Sequence, residues 1–232
     1  MTRPQKPNFL FIQTDQMTAF ALSYYGNPVV KTPNLDKLAA RGVVFQNAYC
    51  NNPICASSRF SMMSGQLSSR VGAYDNAAEF PAQVPTFAHY LVDQGYHTCL
   101  SGKMHFVGPD QLHGFQERVT TDIYPSDFGW TPDWLAEGHQ LPPSGMSMRS
   151  VVEAGISERS LQIDYDEEAC HQAEVKLWDY ARNSPDQPFF LAVSFTHPHN
   201  PFTTQSKYWN LYDHDKINMP TVTGKPVEER DP

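Results

Sequence analysis

An α/β fold built on a mostly parallel sheet flanked by helices is what this sequence predicts, and three features predict it. Short, almost wholly apolar runs recur along the chain, as at Phe9-Leu10-Phe11-Ile12 and Phe189-Phe190-Leu191-Ala192-Val193. Runs of that kind suit strands covered on both faces, the usual condition of a parallel sheet. Between them lie stretches with helix start and stop signals, so strand and helix alternate. Several of the apolar runs also end in chemically capable residues, and open α/β sheets form their sites beyond the carboxyl ends of the strands.

At 232 residues the chain has length for one large domain or two small ones. Its 40% hydrophobic and 18% charged residues are those of an ordinary globular protein. A formal net charge of −8 with no basic run excludes nucleic acid as a partner. Four cysteines, Cys50, Cys55, Cys99 and Cys170, are too few and too scattered for a disulfide scaffold or a zinc finger. Residues 1–7 hold no apolar signal core, and no apolar run approaches the length of a membrane span. The expectation is a cytoplasmic protein with no membrane partner.

Taken in order, residues 8–14 form the first strand, ending at Asp15-Gln16. An aspartate there is commonly a turn or cap residue, and it is equally a hard oxygen donor for calcium or magnesium. Thr32-Pro33 opens a helix with Leu35, Leu38 and Ala39 as its apolar stripe, and Gly42 closes it. Residues 43–49 read as a second strand. Pro85 precedes a helix over 86–94, stopped by Gly95, and residues 96–101 are a third strand that runs into Gly102-Lys103-Met104-His105. Lys103 and His105 are two apart, so on extended chain they point to one side. From 106 to about 166 the chain is rich in Pro, Gly and aromatics without a clear period, as functional loops are. An amphipathic helix over 166–184 presents Ala169, Ala173, Leu177 and Ala181, and the strand 189–195 ends in Thr196-His197-Pro198-His199-Asn200-Pro201.

The stretch 51–66, Asn-Asn-Pro-Ile-Cys-Ala-Ser-Ser-Arg-Phe-Ser-Met-Met-Ser-Gly-Gln, organises the rest. Cys55 heads a helix-like run that ends at Gly65. A helix N-terminus offers unpaired N–H groups and partial positive charge, which suit an oxyanion. Arg59 stands one turn on and can lean back over the same spot. A free cysteine is often just a small buried hydrophobe, but the polar company of Asn51, Asn52, Ser57, Ser58 and Arg59 does not describe an apolar pocket.

Cys55, Arg59 at +4 and Ser64-Gly65 at +9 and +10 resemble the first signature of the type I sulfatases. Gly95-Tyr96 with Gly102-Lys103-Met104-His105 is similar to the second. The resemblance implies an alkaline-phosphatase-like α/β fold with residues 1–232 as the N-terminal part of the catalytic domain. It implies oxidation of Cys55 to formylglycine by a formylglycine-generating enzyme, and a divalent cation, calcium with manganese or magnesium as alternatives, held in part by Asp15 and residue 55. Arg59, Lys103 and His105 fall at catalytic positions, and His199, before His197, is the histidine of the leaving-group side. Two positions depart from the pattern. Ser57 replaces the proline that helps the maturation enzyme recognise the segment, and Gln16 replaces a second metal-binding aspartate.

The stretch from Gly102 through Trp134 resembles the choline-sulfatase subgroup more than aryl- or sugar-sulfatases, as does the run from Ser194 to Pro201. That implies choline O-sulfate as substrate, with Asn76 and Trp130 at the choline site. An aromatic face is a physically apt seat for a quaternary ammonium. Two other readings stand beside it: a phosphodiesterase or phosphonate monoester hydrolase on the same scaffold, and a non-catalytic fragment. Residues 221–232 read as a polar connecting loop, and the family pattern implies about as much chain again, so a truncated enzyme is expected. A homo-oligomer is compatible with all of this.

Overall fold

The computed structural model describes residues 6–123, 149–219 and 224; Trp130 and nearly all of the run 221–232 lie outside them. In chain order the elements are β1 (Phe9–Thr14), α1 (Pro33–Ala39), α2 (Cys55–Ser64), α3 (Ser68–Val71), α4 (Phe87–Asp93), β2 (His97–Gly102) and β3 (Glu117–Arg118). There follow α5 (Arg149–Val152), β4 (Gly155–Ile156), α6 (Leu161–Asn183), β5 (Phe189–Phe195), β6 (Thr203–Thr204) and α7 (Ser206–Trp209). The main sheet has the order β1-β5-β2-β3 with every pairing parallel, and β4 pairs with β6 beside it.

β5 is the centre, paired along its whole length with β1 on one side and β2 on the other. Alternate residues of a strand face opposite ways. Phe190 and Ala192 join Leu100 in a core with Ala56, Phe60, Met63, Ala88 and Phe106 on one face. Leu191 and Val193 join Cys99 against Ala173 of α6 on the other. Burial on both faces is why this strand is apolar nearly throughout. α6 lies against the sheet through Tyr165, Ala169, Ala173 and Tyr180, so the buried stripe ends on Tyr180 and Ala181 is exposed.

Four expectations are corrected. Residues 43–49 form no strand, and Val43 and Tyr49 are 81% and 91% exposed. A strand requires a neighbour for its backbone groups, and no described strand runs beside this segment. β1 pairs on one side only among the described residues, which leaves Ile12 59% exposed where a buried strand was expected. The Leu35 and Leu38 stripe of α1 is exposed as well. α6 starts at Leu161, not 166, because the Ser160 hydroxyl accepts from the Ile163 N–H at 3.2 Å and caps the helix.

Candidate active site

β1, β2 and β5 end level with one another, Thr14 beside Phe195 and Gly102 beside Ser194. Each strand end carries a nominated residue: Asp15 after β1, Lys103 and His105 after β2, His199 in the turn after β5. Gly102 makes the second of these exits. Its φ is +100°, and a Cβ there would lie 2.0 Å from the Ser194 carbonyl oxygen. The chain turns in against β5, Lys103 N–H donates to that same carbonyl at 2.9 Å, and both Lys103 and His105 are buried.

Cys55 is the first residue of α2, set there by an Asx turn in which Asn52 Oδ1 accepts from the Ile54 N–H at 3.0 Å. Its Sγ lies 4.0 Å from both carboxylate oxygens of Asp15 and 3.9 Å from Lys103 Nζ. Lys103 Nζ donates to Asp15 Oδ2. Arg59 follows its helix down to the sheet end. Its Nη1 donates to Lys103 O at 2.6 Å and to Ser194 Oγ at 2.9 Å, and Nη2 stands 3.6 Å from Asp15 Oδ2. Asp15, Cys55 and His199 each place a ligand-capable atom within 4.8 Å of the others. Of the nominated residues, Cys55, Arg59, Lys103, Asp15 and His199 therefore converge.

His105 joins them through Asn76. The Asn76 carbonyl accepts from His105 Nε2 at 3.2 Å, while Asn76 Oδ1 accepts from the Ala56 N–H at 3.0 Å. Asn76, expected at the choline site, thus also caps α2 beside Cys55. Gln16 is exposed, with φ +58°, and His105 has φ +62°. Left-handed backbone is uncommon outside glycine and gathers at functional sites. His197 turns away: its Nδ1 lies 2.7 Å from Asp166 on α6.

Sequence reasoning missed the brace behind the Lys103–His105 exit. Asp122 Oδ2 accepts from the N–H groups of Met104 and Phe106 at 3.1 and 3.2 Å and from Arg118 Nη2 at 2.9 Å. An aspartate in a loop carries no sign of such burial. A cavity of about 900 Å³ lies beside this brace, lined by Glu79, Arg118, Asp122 and Glu168, and none of the nominated residues lines it.

The charges are arranged around Asp15. Burial alone would raise its pKa, but Lys103 and Arg59 outweigh that and hold it below the ordinary value. Burial pushes His105 down to about 4, helped by Lys103, so it is neutral at neutral pH. His199 is lowered by burial and by the charges of Lys103 and Arg59. The cluster fits a divalent cation in part. It offers one carboxylate already paired with two cations, whereas calcium takes six to eight oxygens. It fits an aldehyde hydrate at position 55 better, since two hydroxyls there would find an acceptor in Asp15 and a donor in Lys103.

The Sulfatase family profile matches residues 7–230. Choline-sulfatase of Rhizobium meliloti (strain 1021) is 46% identical over 230 residues, which cover 98% of this chain and 45% of that protein. Arylsulfatase of Clostridium perfringens (strain 13 / Type A) is 30% identical, over 94% of this chain and 48% of that protein. The chain spans about half the length of the curated relatives it matches. A structure solved in complex with its substrate D-glucosamine-2-N,6-O-disulfate superposes with TM-score 0.65 at 23% identity, covering 93% of this chain and 39% of its own. Phosphonate monoester hydrolase of Agrobacterium radiobacter superposes with TM-score 0.65 at 23% identity, covering 92% of this chain and 45% of its own. Likeness at that identity is a likeness of fold, and the fold is the alkaline-phosphatase-like one expected. Matched almost end to end by one family's sequence pattern, over residues 7–230, this chain belongs to the sulfatase family.

Proposed function

We propose that the chain is the N-terminal part of the catalytic domain of a sulfate-ester hydrolase that cleaves choline O-sulfate to choline and sulfate, in the cytoplasm. The observation that carries this reading is the convergence of Cys55, Lys103, Arg59, Asp15 and His199 at three strand ends, in a chain 46% identical to a choline-sulfatase. The likeness to a phosphonate monoester hydrolase is one of fold.

In this reading Cys55 is converted to formylglycine, whose hydrated aldehyde supplies a hydroxyl nucleophile for sulfur. Asp15 and residue 55 would hold part of the shell of a divalent cation, calcium here, whose positive charge favours an ionised hydroxyl. The chain's own residues do the rest. Lys103 Nζ and Arg59 bring two positive charges to the place where sulfonate oxygens must sit and where negative charge builds. His199 gives a proton to the departing alkoxide. His105, which donates through Nε2 to the Asn76 carbonyl, assists loss of a proton from residue 55.

The test is release of sulfate from choline O-sulfate beside 4-nitrophenyl sulfate and an aryl phosphonate monoester, together with the mass of the Cys55 peptide. Choline O-sulfate is expected to be the best substrate, and the peptide to show loss of hydrogen sulfide and gain of one oxygen atom, the change from thiol to aldehyde. Faster turnover of the phosphonate overturns the reading.

Two smaller effects follow. Ser57 is fully buried with no partner for its hydroxyl among the described residues, and it is the third residue of α2, where the N–H has no intrahelical bond to lose. Ser57→Pro is therefore expected to fold. Its converted fraction, measured by peptide mass after co-expression with a proline-preferring maturation enzyme, should rise. Trp130→Ala should lower kcat/KM for choline O-sulfate about tenfold or more, since a desolvated cation–π contact is worth about 2 kcal/mol. A neutral aryl sulfate should lose less, and equal losses would make Trp130 a packing residue.

A further inference from the structure

We propose that Gln162 and Asp166, one turn apart on α6, are positioning residues for His199, clamping both ends of its turn and fixing the ring nitrogen it presents to Cys55 and Asp15. The inference rests on His199 being the proton donor of the reading above.

At the near end, the Asp166 carboxylate accepts four hydrogen bonds from two consecutive residues. They come from Thr196 N–H at 2.6 Å, Thr196 Oγ1 at 3.0 Å, His197 N–H at 2.9 Å and His197 Nδ1 at 2.7 Å. Thr196 is fully buried, and its carbonyl accepts from the His199 N–H at 3.0 Å, which closes the turn. At the far end, Gln162 is also buried, and its Nε2 donates to the Asn200 carbonyl at 2.6 Å. That oxygen lies 2.8 Å from His199 Nδ1.

The Asn200 carbonyl therefore receives two donors, one from the helix and one from the catalytic ring. A carbonyl held by Gln162 has a fixed direction, and a ring bonded to it through Nδ1–H can present only Nε2 to the strand ends. The hydrogen bond made by one imidazole nitrogen sets what the other can do. Released from the clamp, the ring can turn over, and a small misplacement of a reacting group is costly in rate. Both ends of the turn hang on one helix face, since residues four apart share a face.

The experiment compares Gln162→Met, Asp166→Asn and His199→Asn in the active enzyme on two esters. Choline O-sulfate expels an alkoxide that needs the proton, whereas 4-nitrophenyl sulfate expels a phenolate that does not. Each positioning variant should lower kcat for choline O-sulfate about 10- to 100-fold with little change in KM, and kcat for the nitrophenyl ester less than about threefold. Adding either to His199→Asn should bring no further loss. A general loosening would lower both substrates alike, and that outcome, or no loss on either, overturns the proposal. A second readout does not depend on turnover. In protein labelled with ¹⁵N-histidine, NMR should show His199 as the Nδ1–H tautomer, and that tautomer should be lost in Gln162→Met. If it persists in both variants the clamp is refuted, whatever the activity. If wild-type enzyme releases no sulfate, the functional reading falls and the tautomer still decides the clamp. Gln162→Met keeps length and apolar packing, so it remains informative should Asp166→Asn fail to fold.

Discussion

Cys55→Ala should abolish sulfate release from the active enzyme and leave the fold in place. Cys55 is half-buried, and its sulfur makes no contact with a charged group closer than 3.9 Å among the described residues. Alanine at a helix position costs nothing in propensity, so the stability change should be within about 1 kcal/mol. The proposed reaction, in contrast, would lose its nucleophile outright. The expected loss in kcat is on the order of 10³-fold or more, since no neighbour can replace a covalent step. Sulfate release and a thermal melt on the same preparation check both halves. Activity within tenfold of wild type would end the assignment of Cys55.

Gly102→Ala should damage the fold itself. The added methyl would meet the Ser194 carbonyl oxygen at 2.0 Å, its carbon at 2.8 Å and the Ser194 nitrogen at 3.1 Å. All three belong to the backbone of the central strand, so relief means parting β2 from β5 where Lys103 leaves. The backbone at φ +100° is also one that alanine resists. Together these should cost about 3 kcal/mol or more, lowering the melting temperature by roughly 10 °C. Gly65→Ala is the control. Gly65 ends α2 at φ +68° with nothing within 4 Å of its would-be Cβ, so only the conformational cost applies, about 1 kcal/mol. Equal losses at the two glycines would refute the close approach at Gly102.

Much of the site could be read from the chain because its signals are local. The Asn52 turn, Cys55 at a helix start and Gly65 at its end lie within one short stretch, and Arg59 follows from helical spacing. The apolar runs at 9–12 and 189–193 became strands, and Asp15, Lys103 and His199 leave strand ends that stand side by side. Where a pattern needed a distant partner, it misled. Residues 43–49 have a strand's composition, yet no described strand lies beside them. Arg59 does reach the Cys55 cluster, and its partners there, Lys103 O just past β2 and Ser194 Oγ on β5, are ones that local spacing cannot place.

Strand, helix and cap positions are set by interactions within a few residues, so spacing located the strand ends and the helix start, and the family resemblance nominated the residues there. What those groups touch was settled when distant segments met. Asp15 is held below its ordinary pKa because Lys103 and Arg59 are folded against it. His105 is neutral because burial removed its water, and Asn76 became a cap because Ala56 arrived beside it. Asp166 and Gln162 had no mark of function at all until α6 lay along the turn that carries His199. Local order is a short-range property of the chain, whereas the charge and orientation of a buried group depend on whichever partners the sheet brings to it.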